Sequence, residues 1–145
     1  MFINNKKFLS GLVVLTLLSG AYLAYTMPPM PIPIKQLEEL STTFNQNLPL
    51  DIDSNISLIK TSVKGDGINY WVFSYLIKQN LADLNIAKID NNALTLVKQA
   101  CTTEPTQEVL KHSTVITYQY FTLDKKMLKP LHILPRDCHD YWQSK

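Results

Sequence analysis

Apolar residues along this chain recur with different rhythms, and each rhythm predicts a different kind of element. From Phe8 to Thr26 no charged residue interrupts a nearly continuous apolar run. A helix over that run would be about 28 Å long, close to the hydrocarbon thickness of a bilayer, so the segment has the length of a membrane span. Its inner part, Phe8 to Leu18, also has the length of a signal-peptide core, and Ser19 and Ala21 place small residues where a cut after Ala21 requires them. Lys6 and Lys7 precede the run and no basic residue follows before Lys35. That asymmetry keeps the N-terminus cytoplasmic and puts the rest of the chain in the periplasm. Two outcomes follow: a single-pass inner-membrane anchor through Phe8 to Thr26, or a periplasmic or secreted domain freed by cleavage near Ala21.

Beyond the run, MPPMPIPI (27–34) holds four of the eight prolines. It can be neither helix nor central strand, and reads as an extended polyproline linker. Helical spacing then places Leu37, Leu40 and Phe44 on one face of a short amphipathic helix. From Ile56 the period becomes two. Ser57, Ile59, Thr61 and Val63 alternate with Ile56, Leu58, Lys60 and Ser62 up to Gly65-Asp66-Gly67, a turn whose glycines accept positive φ. The strand Ile68 to Ile77 returns with Trp71, Phe73, Tyr75 and Ile77 on one side and Tyr70, Val72, Ser74 and Leu76 on the other. Both sides carry apolar surface, so it reads as a central strand.

Asp90 is a suitable N-cap for a helix that buries Ala93, Leu94, Val97, Ala100 and Cys101. Pro105 opens a further short helix with Val109 and Leu110 on its apolar side. Strand periodicity resumes from Thr114 to Leu123, turns at Asp124 to Met127, and runs back from Leu128 to Leu134 with Pro130 marking an edge. The order of helix, hairpin, helices and hairpin predicts an α+β domain over residues 35–145. It would comprise a four-stranded antiparallel sheet of two hairpins, with helices packed on one face.

Charge narrows the partners. Setting aside Lys6 and Lys7, the other 12 of the 14 basic residues balance the 12 acidic ones. A neutral domain without a basic stripe does not track a phosphate backbone, so nucleic acid is not an expected partner. The two cysteines, Cys101 and Cys138, lie in a chain read as exported, where two cysteines most simply form one bridge. That bridge would pin the second helix against the last strand.

The succession LPLDID (48–53), a Tyr-rich strand after a glycine turn, a helix containing Ala100-Cys101, TYQY (117–120) and HILPRDC (132–138) resembles small exported bacterial α+β domains of unknown function. The resemblance implies an exported, disulfide-bearing bacterial domain and transfers no catalytic residue.

The search for chemistry yields little. His112, His132 and His139 lack the spacing that sets two metal ligands on one helical face. His132 and His139 with Asp137 and Asp140 are the nearest approach to a metal cluster, and a polar C-terminal tail supplies such residues by default. There is no Gly-rich phosphate loop, nucleophile elbow or CxxC pair, and no cofactor is expected. Asp51 and Asp53 flank a strand start and suit turn duty better than acid–base work. The aromatic residues are too many for one covered sheet face. Tyr70, Trp71, Tyr118 and Tyr120 are therefore the candidate binding surface. These readings favour a domain that binds another envelope or secreted protein, as an accessory, inhibitor or immunity-type factor, over a periplasmic enzyme or redox factor.

Overall fold

A computed structural model describes residues 29–143. The anchor expected over Phe8 to Thr26 and the cut expected after Ala21 fall outside those residues. Among the described residues no helix is long and apolar enough to cross a membrane. The elements are α1 (Ile34–Asn45), β1 (Leu50–Asp51), β2 (Ile56–Asp66), β3 (Ile68–Ile77), α2 (Ile86–Asn91), α3 (Ala93–Thr102), α4 (Thr106–Lys111), β4 (Val115–Phe121), β5 (Leu131–Ile133) and α5 (His139–Gln143). Short 3-10 turns occupy Leu81–Asp83 and Pro135–Cys138.

The α+β class holds, but the sheet has five strands in the order β1-β2-β3-β4-β5 and is mixed rather than antiparallel. β3 and β4 run parallel, with Trp71 opposite Ile116 and Tyr75 opposite Tyr120. The four-stranded antiparallel expectation fails because the helices between the two hairpins form a crossover. A crossover of helical length returns the chain to the same end of the sheet, and the strand it delivers is parallel to the one it left. The fifth strand, β1, is two residues long and pairs Leu50 with Leu58. β3 is the central strand, flanked by β2 and β4.

Strict alternation in β2 also fails. The pairing shifts between Leu58 and Lys60, so Ile59 is an extra residue that turns the strand. Leu58, Thr61 and Val63 thereby face the same side as Tyr75, Phe73 and Trp71, their partners on β3. At the hairpin end Gly67 takes φ 73°. Gly65 serves a different purpose: a Cβ there would lie 2.6 Å from Ile34 Cδ1, so the glycine lets the start of α1 rest on the strand.

The helices pack on one face. Leu37 of α1, Ala100 and Cys101 of α3, and Val109 and Leu110 of α4 join Leu58, Trp71, Phe73, Ile116, Tyr118 and Ile133 in a single core. Cys101 and Cys138 are both fully buried and bonded to each other across 5.2 Å between Cα atoms. Trp142 Nε1 donates to the Cys101 carbonyl at 3.0 Å, so the C-terminal helix is held at the same point. The bridge pins α3 to the turn after β5.

Candidate binding groove

Two sets of helices cover the sheet unequally. α1 is fixed over β2 by polar contacts: Ser41 Oγ and Thr61 Oγ1 are 2.7 Å apart, and the Asn45 side chain bonds both backbone groups of Thr61 at 2.7 and 2.9 Å. α3 and α4 are held over the β4–β5 end of the same face by the disulfide and by Leu110 and Ile133. Between them a groove stays open. One part, about 250 Å³, lies among Phe44, Phe73, Tyr118, Gln99, Thr103 and Thr106. A second part, about 300 Å³, lies beyond α1, between Ile52 and Ile56 on one side and Ile89, Leu96 and Gln99 on the other, over Tyr75, Ile77 and Tyr120. The two parts meet at Gln99 of α3.

The floor is a continuous run of rings. Phe44 stands edge-on to Phe73 at 6.3 Å, Phe73 to Tyr118 at 5.6 Å, and Tyr118 to Tyr75 at 5.9 Å. Tyr75 and Tyr120 then stack at 5.2 Å with planes 20° apart. Parallel registry produces that stack, because Tyr75 and Tyr120 are direct neighbours across β3 and β4. Burial pushes the Tyr75 phenol up, reinforced by Tyr118 and Tyr120 nearby. Burial likewise pushes Tyr118 and Tyr120 up to about 12. All three are therefore neutral hydrogen-bond donors at physiological pH. Among the described residues, none of the three hydroxyls has a hydrogen-bond partner. The part at Tyr75 and Tyr120 is thus mostly apolar, with the Gln99 and Asn92 amides in its wall, while the part at Phe44 and Tyr118 also carries Thr103, Glu104 and Thr106. This is the composition of a binding site, apolar area for affinity with a few polar groups for orientation.

The four candidate residues part company. Tyr118 and Tyr120 come together in the groove with Tyr75. Trp71 is fully buried beneath the helices and packs on Phe73 at 4.6 Å. Tyr70 lies on the opposite face, beside Lys64, Asp66, Val72, Thr117, Gln119 and His132. Tyr75, Leu96, Gln99 and the isoleucines of the groove were not singled out from sequence. The signal existed, since Tyr75 shares the parity of Trp71, but only the parallel registry sets it against Tyr120.

Residues weighed for chemistry have other occupations. His132 Nδ1 is 3.0 Å from Thr117 Oγ1, and Asp137 accepts from the Leu134 amide at 2.8 Å. Among the described residues no group of three or more His, Cys, Asp or Glu side chains is placed to hold a metal ion. Asp53 does serve its turn, accepting from the Asn55 and Ile56 amides. Asp51 is held below the usual carboxylate range by hydrogen bonds from Lys78 and Ser57, and then by the Lys78 charge.

No protein family matches this sequence, and no curated protein matches it. The fold is found in solved structures. A candidate secreted protein of Pseudomonas aeruginosa superposes with a TM-score of 0.64 at 15% identity, covering 72% of this chain and 91% of that one. A pilotin of the Vibrio vulnificus type II secretion system gives 0.56 at 9% identity, and one from Vibrio cholerae gives 0.53 at 12%. Each covers 72% of this chain and 94% of its own length.

Proposed function

We propose that this chain is an exported envelope domain whose groove between α1 and α3 receives a segment of another envelope or secreted protein. The observation that carries the reading is the open ring floor from Phe44 to Tyr120, with three neutral, unpaired phenols inside an apolar trough. Ile52, which lines the trough, is itself 56% exposed, so apolar surface continues at the mouth. Exposed apolar surface at a concave site marks a place meant to be covered. The kinship of fold supports the setting, since it includes a candidate secreted protein and two pilotins of secretion systems. The sequence supplies the export signal, and the uninterrupted apolar run favours retention as an inner-membrane anchor.

A photo-activatable side chain placed at Leu96 in the full-length protein, illuminated in intact cells, is expected to give one discrete protein adduct. The same group at Lys60, on the opposite face, is expected to give none. Equal labelling from both positions, or none from Leu96, defeats the groove reading. Fractionation of the same cells tests anchoring separately: the full-length chain sediments with inner membranes if Phe8 to Thr26 is retained, and a shorter soluble chain appears if it is cut.

A further inference from the structure

The proline-rich strap is fastened to the domain, and one fastening depends on a proton. Ile32 packs against the core and its carbonyl accepts from Asn69 Nδ2 at 2.8 Å. One step earlier, the Met30 carbonyl lies 2.9 Å from His112 Nδ1. On the far side of the same ring, Nε2 lies 3.1 Å from Glu108 Oε1. Both oxygens belong to groups that accept and never donate: a peptide carbonyl and an ionised carboxylate. A neutral imidazole carries a single N–H, so it makes only one of these two bonds. The imidazolium makes both. We propose that His112 is a proton-operated clasp that ties the strap at Met30 to α4.

The surroundings support that assignment. Lys111 Nζ approaches the other oxygen of Glu108 at 3.6 Å and leaves Oε1 to the ring. The strap from Pro29 to Ile34 carries no charged residue. β4, which α4 packs against, has no ionisable group except the phenols of Tyr118 and Tyr120, and α3 has Lys98 as its one charged residue. Glu108 is thus the acidic partner of the ring. When the proton leaves, Nε2 presents a lone pair to a carboxylate if Nδ1 keeps its hydrogen for Met30, or the Met30 bond is lost if Nε2 keeps it. Retaining the charge-assisted bond to Glu108 is the stronger option. The strap then comes free from Met30 to Pro31, about 6 Å of extended chain at the polyproline rise. Gain of the ring proton closes the clasp and its loss opens it, so the strap is released as pH rises. The clasp sets how firmly the domain is oriented on whatever precedes Met30, and it holds whether or not the groove reading is correct.

The test uses the full-length chain in detergent micelles, labelled with carbonyl-¹³C methionine and ¹⁵N histidine. The Met30 carbonyl resonance is expected to move in a single step as pH is varied, with the same midpoint as the His112 ring nitrogens. In Glu108→Gln the amide donates to Nε2 of a neutral ring, so Nδ1 keeps its hydrogen for Met30 and the carbonyl step disappears. In His112→Phe the resonance stays at its high-pH position throughout. A Met30 carbonyl that ignores the titration of His112, or a step that survives in Glu108→Gln, overturns the proposal.

Discussion

The covered face of β3 can be divided in half, and the two halves were built differently. Trp71 is sealed at 0% exposure, Phe73 beside it borders the groove, and Tyr75 next along the same face opens into it. The strand does not cause the difference, since its covered face carries large side chains from Trp71 through Phe73 and Tyr75 to Ile77. The helix layer causes it. Over Trp71 and its neighbours lie Leu37, Leu110 and the Cys101–Cys138 bridge, all fully buried. Over Tyr75 the layer thins to Ile89 and Leu96, and α2 is only six residues long. Tyrosine suits the thin half because its ring can pack while its hydroxyl meets whatever enters. One half of the face supplies stability and the other leaves a place to be filled.

Truncating each half separates these roles. Trp71→Ala removes a large, fully buried ring and leaves a cavity, and is expected to cost about 3–5 kcal/mol. Tyr120→Ala, at a half-buried ring on the groove floor, is expected to cost about 1–2 kcal/mol, because part of its area is already exposed to water. Urea denaturation of both variants checks the contrast. Equal losses would show that the groove end is core in all but appearance.

The disulfide belongs wholly to the sealed half, and removing it tests how far that half supports the other. It joins residues 37 apart in sequence. Opening a loop of that length is worth about 4 kcal/mol by loop-closure entropy, within a typical range of 2–5. Cys101→Ser with Cys138→Ser is therefore expected to lower the denaturation midpoint sharply. Groove cross-linking from Leu96 is expected to persist under conditions where the variant stays folded, since the bridging cysteines line neither part of the groove.

The same division explains what could be read from the sequence. The sealed half was legible: the periodicity at Ala100, Cys101, Val109 and Leu110 put the right side chains inward, and the disulfide followed from compartment and cysteine count. The groove was not, because it exists only where β3 and β4 run parallel and two helix groups stand apart. Period-two alternation assigns faces within a strand and says nothing about which strand lies beside it. Tyr118 and Tyr120 were singled out for a surface, yet the reason offered was an overfull covered face; they lie on that covered face, at the gap between its helices. The bulge at Ile59 was equally hidden, since an extra residue leaves no mark in an alternation of small polar and apolar side chains. Asp90 suits a helix cap by residue type, but α2 runs through it to Asn91 and α3 starts only at Ala93. The sequence predicts no helix before Asp90, yet α2 lies there and gives Ile89 to the groove, and Leu94, expected on the buried stripe of α3, is 78% exposed.

The smallest effect is silent at neutral pH and appears only in alkali. The phenols of Tyr118 and Tyr120 are pushed up to about 12 by burial, from an ordinary value of 10.0. Tyr75 is raised in the same direction for the same reason. A raised value means the folded chain holds these protons after the unfolded chain has released them. Stability from this source is complete below about pH 10 and falls as pH rises through the folded values near 12. Absorbance titration near the tyrosinate band is expected to show three of the seven tyrosines ionising late in the native protein and with the rest in denaturant. Tyr120→Phe is expected to remove one late-titrating group and change stability at pH 7 by no more than about 0.5 kcal/mol, because its hydroxyl has no partner to lose. A larger loss would mean that the hydroxyl is already engaged in the folded domain, and the open half would then have to be redrawn as part of the sealed one.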